Sequence, residues 1–143
     1  MATIVHDNFR NAQMGNPGGT TTTVDFNGDD VRASLLDQTD SGTITVTSQN
    51  YGQVNTTPVA EMAAALQNPT VGSVAVGVFD ADSVTYTSVT GDTADYLVLY
   101  KHNATAANAT LIATWDSATT GLPVTPNGGD ITVTWNASGI VQI

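Results

Sequence analysis

The sequence predicts a mainly β fold: a single-domain antiparallel β-sandwich, jelly-roll or Ig-like, of about seven to eight strands with one or two short helices. Three observations predict it. From residue 74 onward the chain is a run of short segments that alternate apolar and small polar residues, cut by Gly, Asn, Asp and Pro turns. Thr and Ser occupy positions where charged residues usually stand, as at Thr43, Thr45, Thr47, Thr85, Thr87, Thr132 and Thr134. The branched Cβ of Thr suits a pleated surface, whereas Glu and Lys favour helices. Finally, the 143 residues are 41% hydrophobic and only 11% charged, enough apolar material for one real core.

The N-terminal thirty residues are the least regular. Ile4 and Val5 suit a short strand or an arm. Residues 6–14 suit a brief helix with Asp7 as N-cap and Gly15 as its stop. Residues 16–23, NPGGTTTT, read as an exposed loop, so that residues 1–23 together form a candidate N-terminal arm and loop. Residues 31–36 and 43–47 read as two strands joined by Asp37, Thr39, Asp40, Ser41 and Gly42. The stretch after Pro58, VAEMAAALQN, is rich in helix formers and predicts a helix of about two turns ending before Pro69.

Five further strands are expected at 74–79, 84–89, 96–100, 111–115 and 131–135, with a last one at 140–143. The turn at 136–139 suggests that the last two form a hairpin. Ile131, Val133 and Trp135 should share an inward face, opposite Thr132 and Thr134. In Tyr96, Leu97, Val98, Leu99 and Tyr100 both faces are apolar, so this strand is expected to be covered on both sides. The loop at 121–129, GLPVTPNGG, crosses between sheets or projects outward. Neither internal repeat nor linker divides the chain, and strand order leaves a jelly roll, an Ig-like sandwich and a partly open barrel all open.

Thirteen acids against Arg10, Arg32 and Lys101 give a net charge of −10. That argues against sequence-independent binding to nucleic acid and against docking on an anionic membrane. No cysteine is present, so no disulfide staples the fold. The N-terminus reads as neither a signal peptide nor a membrane span, which implies synthesis in a cytoplasm with no address to leave it. The sequons at Asn55, Asn103, Asn108 and Asn136 follow from the Asn- and Thr-rich composition.

Groups capable of chemistry are few. His6 and His102 are the only neutral-pH bases and sit in different segments. No Ser lies in a nucleophile-elbow context, and Asp80 with Asp82 reads as a strand end followed by an Asp-capped turn. Asp25, Asn27 and Asp29 have a spacing that can gather oxygens around Ca²⁺, but the Glu that completes such a loop is missing and a turn is the simpler reading. Trp115 and Trp135 suit either a sugar-stacking groove or the core, and their inward alternation favours the core. The expectation is a protein without catalytic residues, metal or cofactor.

The C-terminal half carries a resemblance. Phe79–Tyr86 reads FDADSVTY, Ala94–Lys101 reads ADYLVLYK, Leu111–Ala113 reads LIA and Gly128–Trp135 reads GGDITVTW. In this order the segments resemble a family of small tailed-bacteriophage virion proteins, over roughly the last 70 residues. The upstream half departs from that pattern, with DVRASLLDQTD where the family has a more strand-rich stretch.

The resemblance implies a non-enzymatic virion structural protein of the head or neck. The leading expectation is a capsid decoration (cement) protein on the outer surface of an icosahedral shell, with the major capsid protein as partner and a homodimer or homotrimer as its working form. It would be located on the virion, and in the host cytoplasm during assembly. Met1, Ala2, Thr3, Ile4 and Val5 would form an anchoring arm that adds to a capsid strand, and Leu122, Pro123 and Val124 would be exposed apolar contacts. A head–tail connector or tail component is the alternative, and a carbohydrate- or receptor-binding adhesin domain the next.

Overall fold

A computed structural model of the chain describes residues 3–14, 23–48, 50–55, 57–72, 75–116 and 121–142. The described residues form ten strands, all paired antiparallel, and two short helices. In chain order these are β1 (Thr3–Val5), α1 (Asp7–Gln13), β2 (Val31–Leu36), α2 (Gln38–Ser41), β3 (Pro58–Glu61), β4 (Thr70–Val71), β5 (Val78–Asp80), β6 (Val84–Tyr86), β7 (Tyr96–Lys101), β8 (Leu111–Trp115), β9 (Ile131–Val133) and β10 (Val141–Gln142). Two 3₁₀ turns, Tyr51–Gln53 and Ala106–Asn108, complete them.

The principal sheet has the order β1-β8-β7-β2-β3. Its register places Leu35 opposite Leu97 and Ala33 opposite Leu99, and Leu97 and Leu99 in turn oppose Trp115 and Ala113. Side chains alternate along a strand, so these residues share one face and Ser34, Leu36, Tyr96, Val98 and Tyr100 share the other. Both faces are buried, as the unbroken apolar run of β7 predicts. Small sheets β10-β5-β4 and β6-β9 cover the first face, with Phe9, Phe26 and Phe79 filling the space between. The second face lies under Ile44, Tyr51, Val54 and Ala109. The result is a mainly β, sandwich-like domain.

Several elements differ from the sequence expectation. The predicted helix after Pro58 is strand β3 followed by an irregular run along the edge of β2. The Met62 sulfur accepts the Ala33 N–H at 3.2 Å, and the Leu66 N–H donates to the Val31 carbonyl at 2.8 Å. Helix propensity is worth only tenths of a kcal/mol per residue and two turns are marginal alone, so pairing with an open sheet edge and burying Leu66 prevail. Residues 43–47 form no strand. They cross the second face with Ile44 alone buried, and the Asp7 N–H donates to the Val46 carbonyl.

Helix α2, capped by the Asp37 side chain accepting the Thr39 N–H at 2.7 Å, stands where a simple turn was expected. The N-cap of α1 is His6, not Asp7. The expected terminal hairpin is absent: the Gly139 N–H closes the turn onto the Asn136 carbonyl, but β9 pairs with β6 and β10 with β5. That turn carries the chain from one small sheet to the other.

The expected free arm is largely folded in. Thr3–Val5 is an edge strand of the principal sheet, Ile4 is buried, and α1 plants Phe9 in the core. Met1, Ala2 and residues 15–22 lie outside the described residues. So do residues 73 and 74, where the strand at 74–79 was expected to begin, and Ile143 at the end of the last one.

Candidate functional site

The first face is not completely closed. Beside Trp115, where the main sheet and β9 diverge, a cleft of about 830 Å³ opens between the layers. Leu35 and Leu97, both buried, line its interior. Trp115, Trp135, Leu122, Val124 and Ile131 wall it, with Asp130 and Asn136 among the polar groups beside them. Such a volume, apolar inside with a few polar groups, falls in the usual range for a binding site.

Local sequence explains each wall. Alternation through Ile131, Val133 and Trp135 turns these side chains inward and leaves Thr132 and Thr134 exposed. The Trp135 indole Nε1 donates to the Asp82 carbonyl at 3.0 Å, which fixes the ring. Its centroid lies 5.8 Å from that of Trp115, with the planes 45° apart. Residues 121–124 run alongside because Val124 and Ala94 exchange two backbone hydrogen bonds of 2.9 Å, and the Leu122–Pro123 peptide is cis. Asp130 Oδ1 accepts the Ser88 N–H from the segment after β6, and Asn136 Oδ1 accepts the Ser138 N–H within its own turn, so both polar side chains are oriented.

Of the expected contact residues, Leu122 and Val124 line the cleft. Leu122 and Val124 are half-buried wall residues and only Pro123 is exposed, which corrects their reading as projecting contacts. Thr3 is the register partner of Trp115, so β1 reaches the same end of the sandwich as the cleft. Trp115 and Trp135 pack against the core and line the cleft at once, a dual role that alternation alone could not reveal. Their joint position depends on strand order.

The groups with chemical potential are engaged elsewhere. His6 is fully buried, with Nε2 2.8 Å from Thr114 Oγ1, and burial lowers its pKa to about 4. His102 lies at the opposite end of β7, its ring centroid 6.5 Å from that of Tyr100. Asp25 accepts the Asn27 N–H, Asp29 accepts the Asp25 N–H, and Lys101 pairs with Asp29 at 2.8 Å, so this segment is a self-bonded turn. The Arg32 guanidinium holds the Asp30 carboxyl below its usual range through a two-point contact of 2.6 and 2.8 Å.

On the second face Ser34 Oγ donates to Tyr100 Oη at 3.3 Å, and Tyr51 Oη donates to Glu61 Oε1. Carboxylate oxygens of Asp37, Asp40 and Asp92 come within 4.8 Å of one another, the nearest approach to a cation site among the described residues. Asp37 already serves there as the α2 cap.

No helix among the described residues is long and apolar enough to cross a membrane. The fold and cleft define a mainly β sandwich with an apolar, tryptophan-walled recess. Comparison with protein-family models gives no match, and comparison with curated protein sequences gives none either.

Proposed function

We propose that this chain is a non-enzymatic virion structural protein, a capsid decoration protein that binds the outside of an icosahedral shell and bridges neighbouring capsomers. The observation that carries the reading is the convergence of β1 and the 121–124 segment on Trp115, at the mouth of an apolar cleft. Edge strand and recess together offer one composite docking surface: backbone pairing along β1 and apolar insertion beside Trp135. The resemblance of the C-terminal half to phage virion proteins points the same way. A partner here is the major capsid protein, and a closed dimer or trimer would let one such surface address equivalent capsomers.

The test is the copy number per purified virion, measured by quantitative mass spectrometry against the major capsid protein. Hundreds of copies support decoration. A dozen or fewer would place the protein in the neck or tail, and absence from the virion would remove the reading. Replacing Leu122 with Asp should abolish binding to expanded capsids while the circular dichroism spectrum stays unchanged.

One observation favours a second reading. Two tryptophans 5.8 Å apart beside Asp130 and Asn136 are also what a sugar-binding groove requires, an aromatic face next to hydrogen-bonding groups. A glycan that raises the melting temperature in wild type but not in Trp135→Ala would favour an adhesin domain.

A further inference from the structure

A second groove, of about 640 Å³, lies away from the tryptophan cleft, between β3 and β6. Residues 59–65 and Gln67 line one side and residues 83–90 the other. Among the described residues β3 pairs only with β2 and β6 only with β9. Each strand therefore keeps one lateral edge open, and the groove runs between the two edges. We propose that this groove is a strand-acceptor site, which binds an extended, basic segment of a partner polypeptide by β-strand addition.

Three features carry the assignment. First, an open strand edge offers a row of backbone donors and acceptors, the chemistry that an extended main chain satisfies and a compact ligand does not. Second, small side chains alternate with larger ones along both walls: Ala60, Ala63, Ala64 and Ala65 stand beside Met62 on one side, and Ser83 and Thr85 beside the buried Tyr86 on the other. Open edges are ordinarily blunted by Lys, by Pro within the strand or by a covering loop. Here Pro58 stands only at the first position of β3, and β6, Val-Thr-Tyr, carries neither Lys nor Pro.

Third, charge selects the occupant. No Lys or Arg lines the groove, its one charged lining residue is Glu61, and Asp82 immediately precedes Ser83. In a chain of net charge −10 this field attracts a segment bearing Lys or Arg and repels a second copy of the chain itself. A segment of about five residues, the usual length of a strand, would join the principal sheet to the β6-β9 sheet.

The test uses the full chain, uniformly ¹⁵N-labelled, titrated with a seven-residue peptide of alternating Lys and Val, and with its Glu/Val counterpart. The Lys/Val peptide should shift amides of residues 59–65 and 83–90, bind at least tenfold more tightly than the Glu/Val peptide, and weaken as salt rises. Glu61→Lys should lower that affinity at least tenfold. N-methylation of alternate peptide amides should abolish binding, since it removes main-chain donors and leaves charge intact.

Shifts confined to the Trp115 and Trp135 region, no shifts at all, or equal binding of the N-methylated peptide would each overturn the assignment. So would concentration-dependent shifts of the groove amides without peptide, which would make a second copy the occupant. Thr87→Lys, placed on the exposed rim, serves as a second variant and should also weaken the basic peptide.

Discussion

His6 Nε2 and Thr114 Oγ1 lie 2.8 Å apart in a fully enclosed setting, joining the start of α1 to the C-terminal part of β8 across 108 residues of sequence. Burial is the chief reason that the His6 pKa falls from 6.5 to about 4. Backbone groups of Ser48, Thr45 and Val46 oppose the shift in part, although Nδ1 makes no hydrogen bond of normal geometry among the described residues. The folded state thus keeps the imidazole neutral where the unfolded chain would protonate it. Between the two pKa values the unfolded state binds more protons, so stability falls as pH drops from 6.5 toward 4 and levels off below. The full effect is roughly 3 kcal/mol. Urea melts across that window should show the loss in wild type and a much shallower slope in His6→Gln. Parallel slopes would remove His6 as the cause.

Tyr51 and Tyr100 stack on the opposite face of the sheet, ring centroids 3.9 Å apart and planes within 4°. The Tyr51 hydroxyl donates to Glu61, which links the 3₁₀ turn at 51–53 to strand β3. Tyr51→Ala removes a buried ring and should cost about 3–5 kcal/mol. Tyr51→Phe keeps the stack and loses only the hydroxyl, at about 1 kcal/mol. Equal losses in the two variants would show that the bond to Glu61, not the stack, secures this layer. Chemical denaturation with coincident fluorescence and circular dichroism transitions is the measurement.

The four tyrosines share one further property: burial raises the pKa of Tyr51, Tyr86, Tyr96 and Tyr100 above the ordinary 10.0. Their neutral forms belong to the folded state, so stability present below pH 10 is lost as pH rises beyond it. Tyrosinate absorbance should therefore stay low through pH 10 and rise together with the loss of circular dichroism. A gradual rise centred on 10.0 with the fold intact would mean that the hydroxyls reach water freely.

The principal sheet was legible in the sequence because β2, β7 and β8 are runs of five or six residues whose partners bury both faces. Strand β3 was hidden: Ala60, Ala63, Ala64 and Ala65 score as helix formers, and only the open edge of β2, a tertiary fact, turns them into a strand and its extension. The turn at 136–139 was placed correctly, but the strands after and before it join different sheets, since a turn fixes local direction and not the partner. The cleft was invisible for the same reason. Trp115, Leu122 and Trp135 each stand out in the sequence, yet their meeting depends on β1-β8-β7 lying beneath β9, which no periodicity encodes.

The crossing between the small sheets rests on Gly139. Its φ of +95° is a conformation that side chains disfavour, and a Cβ there would lie 2.1 Å from Val78 Cγ1 and 3.1 Å from the Phe79 carbonyl oxygen. The same backbone position lets the Ile140 N–H reach the Phe79 carbonyl at 2.7 Å and start β10. Gly139→Ala combines left-handed strain with overpacking against β5 and should cost about 3 kcal/mol. Gly128 has a comparable φ of +84° but open space around it, so Gly128→Ala carries the backbone strain alone, about 1 kcal/mol. A pair of thermal melts separates the two contributions. If both variants lose the same stability, Val78 yields to the added methyl and the close approach of the turn to β5 is not what holds β10 in place.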